Sequence, residues 1–254
     1  MFFLLTLSSA IGLACGNILE SIGLRAVTSV KALAKNKFWL SGFLLTIAGT
    51  LLYYAALAKY NISLVQPFMA LNPALTAILG WKILGEKMTR RITIAVILIF
   101  CGLLISGTQA GVSHGALHST EMLWIYCGAV LLLLFFFCFL FKKTEIRDSL
   151  CAGAGFGLST VLYKSISLNG LFPPPIDLRL FVCALLYIAA FACMQFGLRR
   201  GRALFVIPFS AAIGLIVPTL GGILVFGEPA MLPQIISLCF IVTGSALFVA
   251  TAPK

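Results

Sequence analysis

Nine uninterrupted apolar runs, each close in length to the thickness of a lipid bilayer, most restrict what this chain can fold into. They cover residues 3–25, 38–58, 61–84, 92–109, 121–141, 149–168, 180–198, 203–226 and 231–251. A helix needs about 20 apolar residues to cross the hydrocarbon core. Backbone N–H and C=O groups cannot stay unpaired there, and the runs are too long and too continuously apolar for barrel strands. The expected fold is an all-α membrane protein with nine transmembrane helices. The polar remainder is small: 10% of the 254 residues are charged, against about 25% in a soluble domain. A soluble enzyme, a nucleic-acid-binding domain and a sizeable extramembrane domain are excluded. The first run has no basic residue ahead of it, and Gly12-Leu13-Ala14-Cys15 lacks the aliphatic residue that opens a lipoprotein cleavage box. It reads as a true span rather than a leader.

The formal charge of +11 takes its meaning from where the basic residues fall. Arg25, Lys31, Lys35, Lys37, Lys82, Lys87, Arg90, Arg91, Lys142, Lys143, Arg147, Arg199, Arg200, Arg202 and Lys254 occupy alternate connections and the C-terminus, 15 of the 18 basic residues. Lys59 and Arg179 face the other side, and Lys164 lies within a span. Basic loops stay in the cytoplasm. The N-terminus is therefore expected outside and the C-terminus inside, in a multi-pass protein of the plasma membrane, or of the inner membrane in a bacterium. Lys31, Lys35 and Lys37 suit a segment resting on an anionic leaflet. The eight cysteines all fall in apolar runs with no CxxC pair, and read as packing residues rather than disulfides or metal ligands. His114, His118 and Glu121 have helical spacing before span five, but they offer too few ligands for a metal site and read as a solvated turn. No metal and no cofactor is expected.

The chain also repeats itself. At a shift of 141 residues, Gly12 and Gly16 fall on Gly153 and Gly157, Leu44-Leu45 on Leu185-Leu186, Ile47-Ala48 on Ile188-Ala189, and Pro67-Phe68 on Pro208-Phe209. With one residue inserted, Gly85-Glu86 falls on Gly227-Glu228 and Gly102 on Gly244. Spans one to four (residues 1–110) thus correspond to spans six to nine (148–254), joined by span five and its loops (111–147). Five spans separate equivalent positions, so the second copy enters the membrane upside down. Inverted repeats of this kind are a transporter plan, in which the halves exchange conformations to open each side in turn.

The stretch from Leu44 to Gly107 joins an "AL" plus basic turn, a proline-bearing helix ending in "LGE" and a glycine-bearing helix. It resembles the EamA-type repeat of the drug/metabolite transporter superfamily. Leu185 to Pro229 is similar. The 4+1+4 arrangement resembles the NIPA-like branch and a fused pair of small multidrug resistance subunits. In those subunits a glutamate of the first helix binds a cation or proton, and Glu20-Ser21-Ile22-Gly23 is similar to that motif. The equivalent of Glu20 in the second copy is Val161, so a symmetric two-glutamate site is absent.

Glu20 is the acidic residue that lies clearly inside an apolar run. Carboxylates are expensive in hydrocarbon, which makes proton or cation binding the default reading; the alternative places Glu20 at the interface beside Arg25. Lys164 either lines a cavity, where it binds an anion or neutralises Glu20, or snorkels to the outer interface. Pro67 and Pro73 in span three, and Pro208 and Pro218 in span eight, remove backbone donors and kink helices that line a cavity. Gln66, Asn72, Tyr53 and Tyr54 are the polar and aromatic candidates for substrate contact, or else interhelical hydrogen bonds. Gly12 and Gly16, with Gly153 and Gly157, allow close helix packing near the pseudo-axis. Glu86 and Glu228 read as structural caps.

These readings imply a secondary transporter working by alternating access around a cavity lined by spans one, three, six and eight. Its partners would be a small polar metabolite or organic cation, protons through Glu20, and the bilayer, with no nucleic acid, as a monomer or homodimer. NIPA-like magnesium transport, flipping of a lipid-linked sugar and a non-transport membrane scaffold are the alternatives. No nucleophile and base pair falls within the spans, so an enzyme is not expected.

Overall fold

The computed structural model describes residues 2–27, 30–59, 69, 71–107, 119–141, 144–166, 176–227 and 232–251. Among them every regular element is a helix: α1 (Phe2–Ala26), α2 (Val30–Leu33), α3 (Lys37–Lys59), α4 (Leu71–Ile83), α5 (Arg90–Gly107), α6 (Thr120–Leu140), α7 (Thr144–Ile166), α8 (Leu178–Arg200), α9 (Ala203–Phe226) and α10 (Leu232–Thr251). Each expected apolar run contributes one of these helices, and α2 is a four-residue addition in the first basic connection. Among the described residues five segments are long and apolar enough to cross a bilayer by length and composition: Leu4–Ala26, Lys37–Ala56, Thr120–Leu140, Leu178–Arg200 and Ala203–Phe226.

Polar side chains set several helix starts. Asn36 Oδ1 accepts from the N–H groups of Phe38 (3.0 Å) and Trp39 (3.1 Å) at the start of α3. Ser119 Oγ accepts from Met122 N (3.0 Å) for α6, and Asp177 Oδ1 from Leu180 N (2.9 Å) for α8. Each satisfies a donor that the first helical turn leaves without a partner. Gly85 (φ 65°) and Gly227 (φ 63°) follow α4 and α9 in the left-handed region, where a side chain would be strained. They are the glycines of the two aligned Gly-Glu pairs.

One boundary differs from the sequence expectation. α7 begins at Thr144, five residues before the expected span at 149, so Arg147 is helical rather than in a loop. The added turn is held by charge. Glu145 accepts from Arg202 N (3.0 Å), and Asp148 pairs with Arg200 (3.6 Å), which ties the start of α7 to the α8–α9 connection.

In the packing, α1 lies on α3, α7 on α8, and α5 on α10, while α9 is the centre against which α4 and α7 pack. Ile92 and Ile99 of α5, Ile241 of α10, Leu204 and Phe205 of α9 and Ile146 of α7 share one buried cluster. Leu123 and Tyr126 of α6 join Leu158 and Leu162 of α7 and Phe226 of α9 in a second. The opposite face of α6 carries Leu132, Phe135 and Phe139, each 71% exposed or more. Their i, i+3, i+7 spacing makes one apolar stripe of the kind a helix turns to lipid.

The two glycine pairs of the repeat meet different neighbours. A Cβ on Gly12 would lie 3.7 Å from Leu45 O and one on Gly16 2.5 Å from Thr46 Oγ1, both on α3. A Cβ on Gly153 would instead lie 2.5 Å from Ser210 O, and one on Gly157 2.7 Å from Val217 Cβ, both on α9. The α7–α8 contact, the counterpart of α1 on α3, is made by Gly155 against Ala190. Gly153→Ala must push a backbone carbonyl and is expected to cost about 1–3 kcal/mol of overpacking, whereas Gly12→Ala, at ordinary contact distance, stays within about 0.5 kcal/mol. Thermal melts of the two variants in the same detergent check the contrast.

Candidate functional site

A cavity of about 180 Å³ lies between six helices. It is lined by Leu13 and Asn17 of α1, by Thr46, Thr50, Tyr53 and Tyr54 of α3, and by Asn72 and Pro73 at the start of α4. From the second half come Phe156, Ser159 and Thr160 of α7, Tyr187 and Met194 of α8, and Ser210 and Gly214 of α9. Helical periodicity explains the α3 wall, since positions 46, 50 and 53 recur on one face. The described lining is neutral and largely apolar, with hydroxyls, carboxamides and aromatic rings set among Leu13, Met69, Met194, Ile207 and Leu215 and no charged side chain.

These groups are tied to one another across helices. Asn72 Oδ1 accepts from Asn17 Nδ2 (3.2 Å) and from the Thr76 hydroxyl (3.2 Å). The hydroxyls of Thr50 and Tyr187 are 2.6 Å apart, joining α3 to α8. The Tyr54 ring stands 5.5 Å from Tyr53, 6.3 Å from Tyr187 and 4.4 Å from Tyr163, and Phe156 meets Tyr187 edge-on at 5.1 Å. Such a ring cluster offers π-faces to a cationic or apolar solute, and its hydroxyls offer hydrogen bonds. Tyr187→Phe removes one hydroxyl contact and is expected to cost about 1 kcal/mol of stability, measured as a small drop in melting temperature.

Glu20 is fully buried, one turn along α1 from Asn17 and outside the cavity wall. The Thr46 hydroxyl donates to it at 2.7 Å, and the Gln195 carboxamide of α8 donates to its other oxygen. Gln195 Oε1 in turn accepts from the Trp39 indole N–H (3.0 Å). A Cβ on Gly42 would lie 2.7 Å from Glu20 N, so the α3 backbone packs against the α1 backbone beside Glu20 at a point where only glycine fits. Six residues separate Glu20 from Ala26, about 9 Å along the helix. The carboxylate thus stands between the cavity and the basic end of α1. Thr46 links the two, because it both lines the cavity and bonds Glu20.

Residues 1–108 match the EamA-like transporter family. Over 253 aligned positions the chain is 25% identical to a probable magnesium transporter of Arabidopsis thaliana, NIPA9, covering 88% of this chain and 73% of that protein. Over 73 positions it is 36% identical to a probable 4-amino-4-deoxy-L-arabinose-phosphoundecaprenol flippase subunit, ArnE, of Klebsiella pneumoniae (strain 342), covering 28% of this chain and 65% of that one. Both relatives belong to the superfamily that the sequence motifs resemble. The family match covers the first 108 of the 254 residues. No solved structure matches the chain. Its relatives are transporters or flippases rather than enzymes, and the chain is an integral, multi-pass membrane protein.

Within this helical membrane protein the candidate residues sort by position. Tyr53, Tyr54, Asn72 and Pro73 line the cavity, and Glu20 lies one hydrogen bond behind it. The Lys164 ammonium stands over the Phe226 ring, 4.4 Å from the centroid. Pro208 and Pro218 lie inside α9 but are not lining residues. The stretch between them is, and Pro218 removes the N–H that would have bonded the carbonyl of Gly214, which lines the cavity. Gln66 and Pro67 lie outside the described residues, as do His114, His118 and Glu228. Glu86 is buried and accepts from Ala203 N (2.9 Å) and Leu204 N (2.7 Å), so it caps α9 from a connection in the other half, and Arg25 bonds the same carboxylate.

The residues missed from sequence are Asn17, Thr46, Thr50, Tyr187 and Gln195, and α3 and α8 join the cavity walls that were assigned to spans one, three, six and eight. A signal was present. Asn17 is three residues before Glu20, Thr46 and Thr50 are four apart, and Gln195 is the one carboxamide in α8.

Proposed function

We propose that the protein is a secondary transporter that carries a small polar metabolite or organic cation by alternating access, coupled to protons through Glu20. The observation that carries this reading is a neutral, aromatic and hydroxyl-lined cavity joined by Thr46 to a buried carboxylate. Solute in the cavity and the proton on Glu20 would then share one hydrogen-bonded wall, so a change at either is felt by the other.

The scaffold for it is a pair of inverted four-helix repeats, residues 1–110 and 148–254, joined by α6, with nine crossings and the N-terminus outside. Support comes from matched pairings: α1 on α3 with α7 on α8, and α1 on α4 with α7 on α9. The repeat-equivalent helices α5 and α10 also pack on each other, as do α4 and α9. Rocking one repeat against the other would open the cavity to each side in turn.

Similarity to a probable magnesium transporter favours a second reading, with Mg²⁺ as the cargo. Against it stands the neutral lining, since Mg²⁺ is usually held through one or two carboxylates.

The deciding experiment is a thermal-shift screen of the purified protein in detergent against polar metabolites, polyamines, Mg²⁺ and lipid head groups. A ligand at 100 times its Kd stabilises by about 2.7 kcal/mol. A polyamine or metabolite that raises the melting temperature by several degrees, and loses that effect in Tyr54→Ala, supports the proposal. A shift with Mg²⁺ alone overturns it in favour of the second reading.

A further inference from the structure

Three cysteines from three helices converge away from the cavity: Cys138 of α6, Cys151 of α7 and Cys193 of α8. The sulfurs of Cys138 and Cys151 are 3.4 Å apart, and Cys193 interacts with the same Cys151 thiol. All three are partly exposed, whereas Cys127 and Cys183 are buried among apolar side chains. Cys151 lies seven residues into α7 and Cys193 seven from the end of α8, so each is about 10 Å from the charged ends of those helices. Among the described residues no group of three His, Cys, Asp or Glu is placed to hold a metal ion. The chemistry available to the cluster is that of neighbouring thiols.

We propose that Cys138, Cys151 and Cys193 form a peroxide-oxidisable site in which Cys151 is the shared member of a disulfide. The sulfur of one thiol in a neighbouring pair attacks one oxygen of hydrogen peroxide, the O–O bond breaks, and the departing hydroxide takes up a proton as water. The sulfenic acid left on that sulfur is then attacked by the sulfur of its neighbour in the pair. Its S–O bond breaks, a second water leaves, and the S–S bond forms. Two thiols are oxidised and one peroxide is reduced to two waters. From 3.4 Å the sulfurs of Cys138 and Cys151 need to close by about 1.4 Å to reach bonding distance. Cys193 can next attack Cys151 sulfur and expel Cys138 as thiolate, which moves the link from α6–α7 to α7–α8 with no further oxidant. Hydrogen peroxide is small and uncharged, so it reaches thiols at membrane depth.

A shared central thiol has a pattern of dependence that three independent cysteines lack. The full-length protein in detergent is treated with hydrogen peroxide, its free thiols are counted before and after reduction, and its peptides are mapped by mass spectrometry. The parent is expected to lose two of its eight thiols and to regain them with dithiothreitol. Cys138→Ser and Cys193→Ser each still lose two, because the remaining neighbour takes over. Cys151→Ser and the double variant Cys138→Ser/Cys193→Ser form no reducible link. Loss of no thiols by the parent, or a reducible loss that survives Cys151→Ser, overturns the proposal. Should Cys151→Ser fail to fold, the parent's peptide map decides: a crosslinked peptide containing Cys151 supports the site, and its absence rejects it.

Discussion

Glu20→Gln is expected to abolish accumulation of solute driven by a proton gradient while leaving downhill exchange in place. For one proton exchanged per solute, a gradient of about two pH units supports at most about 100-fold accumulation, at 1.36 kcal/mol per tenfold. The variant, with no proton to carry, falls to about onefold. The substitution keeps the shape of the side chain but not its hydrogen-bonding sense. Thr46 and Gln195 both donate to the carboxylate, and Trp39 donates to Gln195, so every donor in the chain points toward Glu20. A carboxamide presents an NH2 to one of them, and flipping Gln195 passes the mismatch on to the Trp39 indole. A stability cost of about 1–3 kcal/mol accompanies the lost coupling. Counterflow and gradient-driven uptake in proteoliposomes separate the effects: a folded variant that exchanges solute but does not accumulate it matches the expectation. Parental accumulation at the same imposed gradient would remove Glu20 from the coupling.

Glu86→Ala is expected to give the largest loss of stability, about 2–4 kcal/mol. The N-cap residue of α9, Arg202, makes no side-chain capping bond, so Glu86 supplies both acceptors for the first N–H groups of that helix. Truncation leaves two buried donors without partners. Arg25 adds little to the sum, because its side chain is 37% exposed and returns to water when its partner is removed. Glu86→Gln keeps one acceptor oxygen and is expected to recover about half of the loss. Detergent melting curves of the two variants check this order, and an alanine variant that melts with the parent would show that α9 does not depend on this cap.

Much of the fold was legible because the solvent is unforgiving. Hydrocarbon leaves a chain no choice but to satisfy its backbone within each segment, so apolar runs become helices wherever they are long enough. Gly85 and Gly227, aligned by the repeat, both take the left-handed conformation at the ends of α4 and α9. The start of α7 was misjudged because Glu145, Arg147 and Asp148 read as loop residues by composition. The partners of Glu145 and Asp148, Arg202 and Arg200, lie more than 50 residues away.

The cavity was legible in part. Tyr53, Tyr54 and Asn72 stood out as large or polar side chains in apolar runs, but Thr46 and Thr50 did not, since a hydroxyl can bond its own helix and passes unnoticed in a span. Lys164 and Glu20 are both charges within spans; the structure sets the cation over the Phe226 ring and gives the carboxylate Thr46 and Gln195 as donors.

The sequence by itself determined the helical character of the protein, the segments that become helices and the two unusual charges inside the spans, because all of these follow from local composition. Only the tertiary structure decided that Gly153 and Gly157 pack on α9 while Gly12 and Gly16 pack on α3, that Glu86 caps a helix in the other half, and that Thr46 and Gln195 are the partners of Glu20. Helices of similar apolarity can dock in many ways, and which side chains meet is set by the close approach of whole helices, a property that no single segment carries.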